Sequence, residues 1–178
     1  MNLLRKIWGI VIAAIISSCH SATFDTISPD GTLKVGVVTT KDGDYGKAAF
    51  VVHYKGDSIL FRSELGLETD AQKFAGNLRL KAVSEPKSVI DDYKMITGKR
   101  SHCVNEASER VYSLENDEGQ ILEVTFRVYN DGIAFKYELK AISDEEHIIN
   151  EYTAYALPKG TKRSEEHTSE LQSPDHLV

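Results

Sequence analysis

Cysteine is nearly missing from this 178-residue chain, which carries only Cys19 and Cys103. Two thiols cannot build a disulfide framework, so the fold must rest on a buried apolar core. Basic blocks are also missing, and the formal net charge is −6. That excludes nucleic acid, or any other strongly anionic surface, as the expected partner. The longest apolar run, Ile7 to Ile16, has ten residues. A bilayer-spanning helix needs about 20. No H-E-x-x-H, C-x-x-C or G-x-S-x-G occurs, so the common metalloprotease, redox and nucleophile-elbow signatures are ruled out. No glycine cluster precedes a helical pattern, and there is neither a βαβ rhythm nor an internal repeat.

What is present suits one globular domain, with 41% hydrophobic residues. The N-terminus reads "MNLLRKIWGIVIAAIISSC". Arg5 and Lys6 precede the short apolar run, and small residues follow, as in an export signal. Ile16-Ser17-Ser18-Cys19 is similar to the bacterial lipobox, in which the cysteine is acylated. Cys19 is therefore the candidate lipidation site, and a lipid there would anchor the chain to a membrane without spanning it. A plain secretory signal with an incidental cysteine is the other reading. Cys103 is expected to be a lone, small, buried residue.

Beyond a short leader (residues 20–26) the pattern is β. Leu33–Thr40 is rich in β-branched residues, and "KDGDYG" supplies a turn. Ala48–Tyr54 and Ser58–Phe61, joined through Lys55-Gly56-Asp57, form a hairpin pattern. Ser63–Asp70 is less regular, and Gln72 to Pro86 reads as loop with room for a strand. Leu122, Val124, Phe126 and Val128 alternate onto one face; Ile133, Phe135, Tyr137 and Leu139 repeat the pattern after Asn130-Asp131-Gly132. That tripeptide readily adopts φ > 0, which predicts a tight turn. Only Ala107–Glu109 and a few acidic stretches hint at helix. The expected fold is all-β, an antiparallel β-sandwich or barrel.

Candidate chemistry is sparse. His53, His102 and His147 are widely separated, and each reads as a surface or hydrogen-bonded histidine before it reads as a ligand. Asp91-Asp92 and Glu145-Glu146 are carboxylate pairs, but neighbours on a strand point to opposite faces. Glycoside hydrolysis needs two carboxylates about 5–10 Å apart, and adjacency in sequence does not supply that. "TGKRSHC" (Thr97–Cys103) places Lys99, Arg100 and His102 near a glycine. It could offer donors to an anionic or sugar ligand; an exposed, charged turn at a strand end is the plainer reading.

Four stretches in order, "ISPDGTLKV" (Ile27–Val35), "LGLE" (Leu65–Glu68), "ITGKRSH" (Ile96–His102) and "FRVYNDGIAFKYEL" (Phe126–Leu139), resemble the N-terminal domain of glycoside hydrolase family 97. The last is the most specific. The resemblance spans about Ile27 to Pro158 and implies a galactose-mutarotase-like supersandwich packed on a catalytic (β/α) barrel. It implies α-glucosidase or α-galactosidase activity in an exported enzyme, with carbohydrate as partner. Two departures are local: "CVNEASERVYSL" follows "GKRSH" where an Asn/Tyr-rich stretch is usual, and Lys136 stands where arginine is commoner. The barrel would hold the catalytic carboxylates and most calcium ligands, so the resemblance assigns no catalytic or metal residue to this sequence. Calcium is implied for the full-length parent only. The expected location is the periplasm or outer membrane of a Gram-negative bacterium.

The last residues, Arg163–Val178 ("RSEEHTSELQSPDHLV"), break the β pattern. Arg163 to Ser173 can be back-translated, codon by codon, into a widely used short-read sequencing adapter. His176-Leu177-Val178 matches its continuation, and Pro174-Asp175 falls where a sample barcode sits. The expected organisation is a signal peptide (1–19), a leader (20–26), a partial sandwich (27–162) and a non-native tail (163–178). The expected function is that of the first part of a family-97-like enzyme, inactive alone. The alternative is a non-catalytic envelope lipoprotein whose sandwich binds glycan or protein.

Overall fold

The computed structural model describes residues 25–40, 45–97 and 101–162. The lipobox at Cys19, most of the "KDGDYG" turn, Lys99, Arg100 and the tail from Arg163 lie outside them. Among the described residues twelve strands follow one another: β1 (Thr26–Ile27), β2 (Leu33–Thr39), β3 (Ala48–Tyr54), β4 (Asp57–Leu65), β5 (Leu67–Thr69), β6 (Lys73–Phe74), β7 (Leu78–Val83), β8 (Lys87–Lys94), β9 (His102–Asn116), β10 (Ile121–Tyr129), β11 (Ile133–Leu139) and β12 (Ile148–Glu151). Every pairing is antiparallel.

The first sheet runs β1-β2-β3-β4 and the second β11-β10-β9-β7, with β8 also on β9. Their inner faces close on each other. Val35, Val37, Phe50 and Val52 from the first sheet meet Tyr112, Leu114, Leu122, Val124, Phe126 and Val128 from the second in one buried cluster. This is the sandwich expected from the alternating pattern, because inward residues recur at every second position on both sheets. Ile133, Phe135, Tyr137 and Leu139 pack against the cluster while remaining partly exposed. A small third sheet, β12-β5-β6, borders the other two.

Four local expectations are corrected. Ala107–Glu109 is strand, the middle of the fifteen-residue β9; Ala107 pairs with Tyr129 on one side and Val89 on the other, and two ladders outweigh a weak helical preference. Ser63–Asp70 is largely regular, holding the end of β4 and all of β5, and Gln72–Pro86 contains both β6 and β7. The turn at Asn130-Asp131-Gly132 closes on the Tyr129 N–H bond to the Gly132 carbonyl at 2.8 Å, without positive φ at any of the three. Left-handed backbone occurs instead at Lys55 (φ 52) and Gly56 (φ 96), between the paired Tyr54 and Asp57. That two-residue loop matches the right-handed twist of its strands.

β7 and β8 share one edge of β9, interrupted at Ser84–Pro86. The Ser84 N–H reaches the Val111 carbonyl at 2.9 Å, and the Ser84 hydroxyl accepts the Val111 N–H at 3.0 Å. A side chain thus substitutes for the main chain where the ladder breaks. Beyond Ala107, β9 loses β10 and continues only with β8. Residues 90–94 and 102–106 therefore form a two-stranded arm leaving the sandwich.

Candidate functional site

The base of this arm gathers a polar cluster on the outer face of the second sheet. Phe126 and Val128 point inward, so Arg127 and Tyr129 must point outward. Register sets Arg127 opposite Glu109, and Asp91 on β8 opposite Asn105. The Arg127 Nε donates to Glu109 Oε2 at 2.6 Å, and its Nη1 donates to Asp91 Oδ1 at 3.0 Å. The Tyr129 hydroxyl donates to Asp91 Oδ2 at 2.5 Å. The Glu109 bond holds the Arg127 guanidinium above its ordinary value. The Asp91 bond, aided by partial burial, pushes the Tyr129 phenol up. Both donors therefore stay protonated at neutral pH, and Asp91 is fixed by two of them. A groove of about 570 Å³ opens beside this cluster, lined also by Tyr93, Asn105 and Asp131.

Asp92 takes the other face of β8 and lies 2.6 Å from His102 Nε2. The pair Asp91-Asp92 is thus split, one carboxylate bound to arginine and tyrosine, the other to histidine. The chemistry of two converging carboxylates is not assembled here.

Glu145-Glu146 sits in a turn before β12 and not on a strand. Glu146 Oε1 accepts from Thr69 Oγ1 at 2.5 Å and Gln72 Nε2 at 2.9 Å. Its Oε2 accepts the Ile142 N–H at 2.6 Å. The Thr69 hydroxyl, then the Ile142 N–H, hold this carboxyl below its ordinary value. A carboxylate held by three donors in this way serves to anchor a loop. Glu145 stays exposed.

The segment after β12 is fastened in a similar manner. Tyr152 donates its hydroxyl to Glu68, which also accepts from Lys73 Nζ at 3.0 Å. The Tyr152 bond, then Lys73, lowers the Glu68 carboxyl. Tyr137 shares a hydrogen bond with Thr153 at 2.8 Å and accepts the Gly66 N–H at 3.2 Å. Main-chain bonds lay the segment along β4: Tyr152 N–H to Gly66, Ala154 N–H to Glu64, and Phe61 N–H to Ala156. Large apolar side chains remain exposed on and around this strap: Phe61, Ile148, Ile149, Tyr155 and Leu157.

The other sequence candidates do not converge. His147 lies 3.7 Å from Asp70 on the surface. Cys103 is half-buried, not buried as expected, because it belongs to the arm and not to the core. Among the described residues no three His, Cys, Asp or Glu side chains stand close enough to hold a metal ion, so these strands supply no complete metal centre. Also among them, no helix is long and apolar enough to cross a membrane.

Sequence reasoning missed the Arg127 cluster and the Glu68–Tyr152 tether. The hairpin from β9 to β10 does put Arg127 opposite Glu109 once its turn is placed. Asp91 lies on β8, which reaches Arg127 only across the intervening β9, and so the third partner was not legible.

Comparison with known proteins extends this picture. The model of the family domain "Glycosyl-hydrolase 97 N-terminal" matches residues 27–174, a span running past Lys162 into the tail. A "Probable retaining alpha-galactosidase" of Streptomyces bingchenggensis (strain BCW-1) is 23% identical over 163 residues, covering 86% of this chain and 25% of that protein. Among solved structures, a β-arabinopyranosidase is 30% identical with a TM-score of 0.68, over 75% of this chain and 21% of that one. A family 97 enzyme from Pseudoalteromonas sp. strain K8, in complex with panose, is 21% identical with a TM-score of 0.65, over 75% and 20%. The same enzyme was also solved with acarbose. The chain thus spans about a quarter of the length of the curated relative it matches. A sandwich with this strand order, matched over most of its length by a single family domain, places the chain in glycoside hydrolase family 97, as that family's N-terminal domain.

Proposed function

We propose that this chain is the N-terminal part of an exported glycoside hydrolase acting on α-glucosides or α-galactosides. Its sandwich packs on a catalytic (β/α) barrel and helps to shape carbohydrate binding; alone it is inactive. The match to the family domain carries this reading. The apolar residues exposed along the strap, Phe61 and Ile148 to Leu157, fit a surface that another domain covers. Relatives described as an alpha-galactosidase and as an enzyme holding panose support the substrate class. Calcium in the parent would take its ligands chiefly from the barrel. Cys19, acylated, would hold the enzyme at the periplasmic or outer-membrane surface.

The 30% identity to a β-arabinopyranosidase favours a second substrate reading, a pentopyranoside. The free-standing, non-catalytic lipoprotein gains nothing from these matches. The test is to express the uninterrupted locus and assay aryl α-glucoside, α-galactoside and β-arabinopyranoside. Hydrolysis of one is expected; no hydrolysis of any, by a folded product, would overturn the reading. Sequencing the source DNA across codon 163 checks the adapter origin of the tail, and an intact genomic coding sequence there refutes it.

A further inference from the structure

The groove at the base of the β8–β9 arm is not explained by core packing or by docking along the strap. Its floor is immobilised: Asp91 is held by Arg127 and Tyr129, and Arg127 in turn by Glu109. Its walls are not engaged. Tyr93 is 47% exposed, and Asn105 and Asp131 are exposed at the rim. Two phenol rings, an amide and carboxylates line a space of about 570 Å³, within the range of small-ligand sites.

The chemistry of this lining selects its ligand. The amide of Asn105 both donates and accepts, and the Asp131 carboxylate accepts only; such planar groups can bridge neighbouring hydroxyls. The phenol of Tyr93 presents an apolar ring face beside a polar tip, which suits the C–H face of a pyranose. The Asp131 carboxylate at the rim, beside Asp91 in the floor, sets a negative local charge that repels phosphate, sulfate and uronate. A polar, aromatic-walled, acid-lined groove therefore fits a neutral polyol.

We propose that this groove binds a neutral oligosaccharide, with Tyr93 stacking on a sugar ring and Asn105 and Asp131 holding its hydroxyls. This rests on the glycoside-hydrolase reading and assigns the sugar contact to particular residues of this domain. Asp91 fixes the floor, and the exposed rim side chains meet the ligand.

The test is native electrophoresis of the full-length protein through gels containing soluble starch or galactomannan. Retardation by one polysaccharide is expected, weakened roughly tenfold in apparent affinity by Tyr93→Ala and several-fold by Asn105→Ala. Tyr93→Phe keeps the ring and should keep most of the retardation. These side chains are exposed, so circular dichroism melts should be unchanged. Unaltered retardation in Tyr93→Ala and Asn105→Ala, or no retardation of the wild type, overturns the groove as a sugar site. Terbium luminescence sensitised by the tyrosines and lost in Asp131→Asn, with retardation unaltered, would make it a cation site and likewise overturn the proposal. Aryl-glycoside hydrolysis, assayed in parallel, separates the two readings. Hydrolysis without groove-dependent retardation sinks this proposal alone, and loss of both sinks the enzyme reading as well.

Discussion

Phe126 is the point where the two sheets are tied. Its ring lies 5.5 Å from Phe50, 5.9 Å from Tyr112 and 5.3 Å from Phe135, and it is fully buried. Truncation to alanine removes the ring and leaves a cavity that its rigid neighbours cannot fill. Phe126→Ala should cost about 3–5 kcal/mol, read as a lowered urea midpoint with little change in slope. Its place in the core was legible from the alternation of Leu122, Val124, Phe126 and Val128. Its aromatic partners were not, because Phe50 stands far away in sequence. At the same scale, Tyr112 shows what burial demands: its hydroxyl meets Thr26 Oγ1 at 2.8 Å, so the polar tip is satisfied inside the core.

Two elements carry conformations that a substitution can probe. Lys55 adopts left-handed backbone in a loop that favours asparagine or glycine. Lys55→Asn should stabilise the protein by about 0.5 kcal/mol, seen as a small rise in melting temperature. Gly66 has ordinary φ but no room. A Cβ there would lie 2.6 Å from the Phe74 carbonyl oxygen and 3.2 Å from Tyr152 Cβ. Gly66→Ala should displace β6 at Phe74 and the strap at Tyr152, and faster amide exchange at Phe74, Tyr152 and Ala154 would report it. Hairpins were readable because their turns and strands are contiguous. The strap was not, since the bonds from Tyr152 to Gly66 and Glu68 join positions more than eighty residues apart.

Across the whole molecule, carboxylates set the acid limit. Glu68, Glu115 and Glu146 are all held below their ordinary value of 4.5, Glu115 by Lys81 and then Arg79. The folded state therefore binds protons less readily than the unfolded one. Their contribution is fully present above about pH 4.5 and is lost as pH falls through the lower folded values. Thermal melts should hold steady from pH 7 to about 5 and decline below pH 4.5, and Glu146→Gln should flatten that decline. The exposed patch of Phe61, Ile148, Ile149, Tyr155 and Leu157 makes a second molecular prediction. Residues 23–178 expressed alone should self-associate and bind a hydrophobic dye. A soluble monomer with a sharp, cooperative melt would count against it.

The all-β class, the inward faces of β10 and β11 and the family were all present in the linear order of residues. Side-chain alternation is a local property of extended chain, and family motifs are contiguous strings. The capture of Asp91 by Arg127 and Tyr129, and the groove they floor, came only with the folded chain. Register between strands separated in sequence is decided by the packing of faces and by distant ladders, and no short window contains both partners. Asp91 and Asp92 make the point in miniature. They are adjacent in the chain, yet strand geometry sends one to an arginine and the other to a histidine on opposite faces.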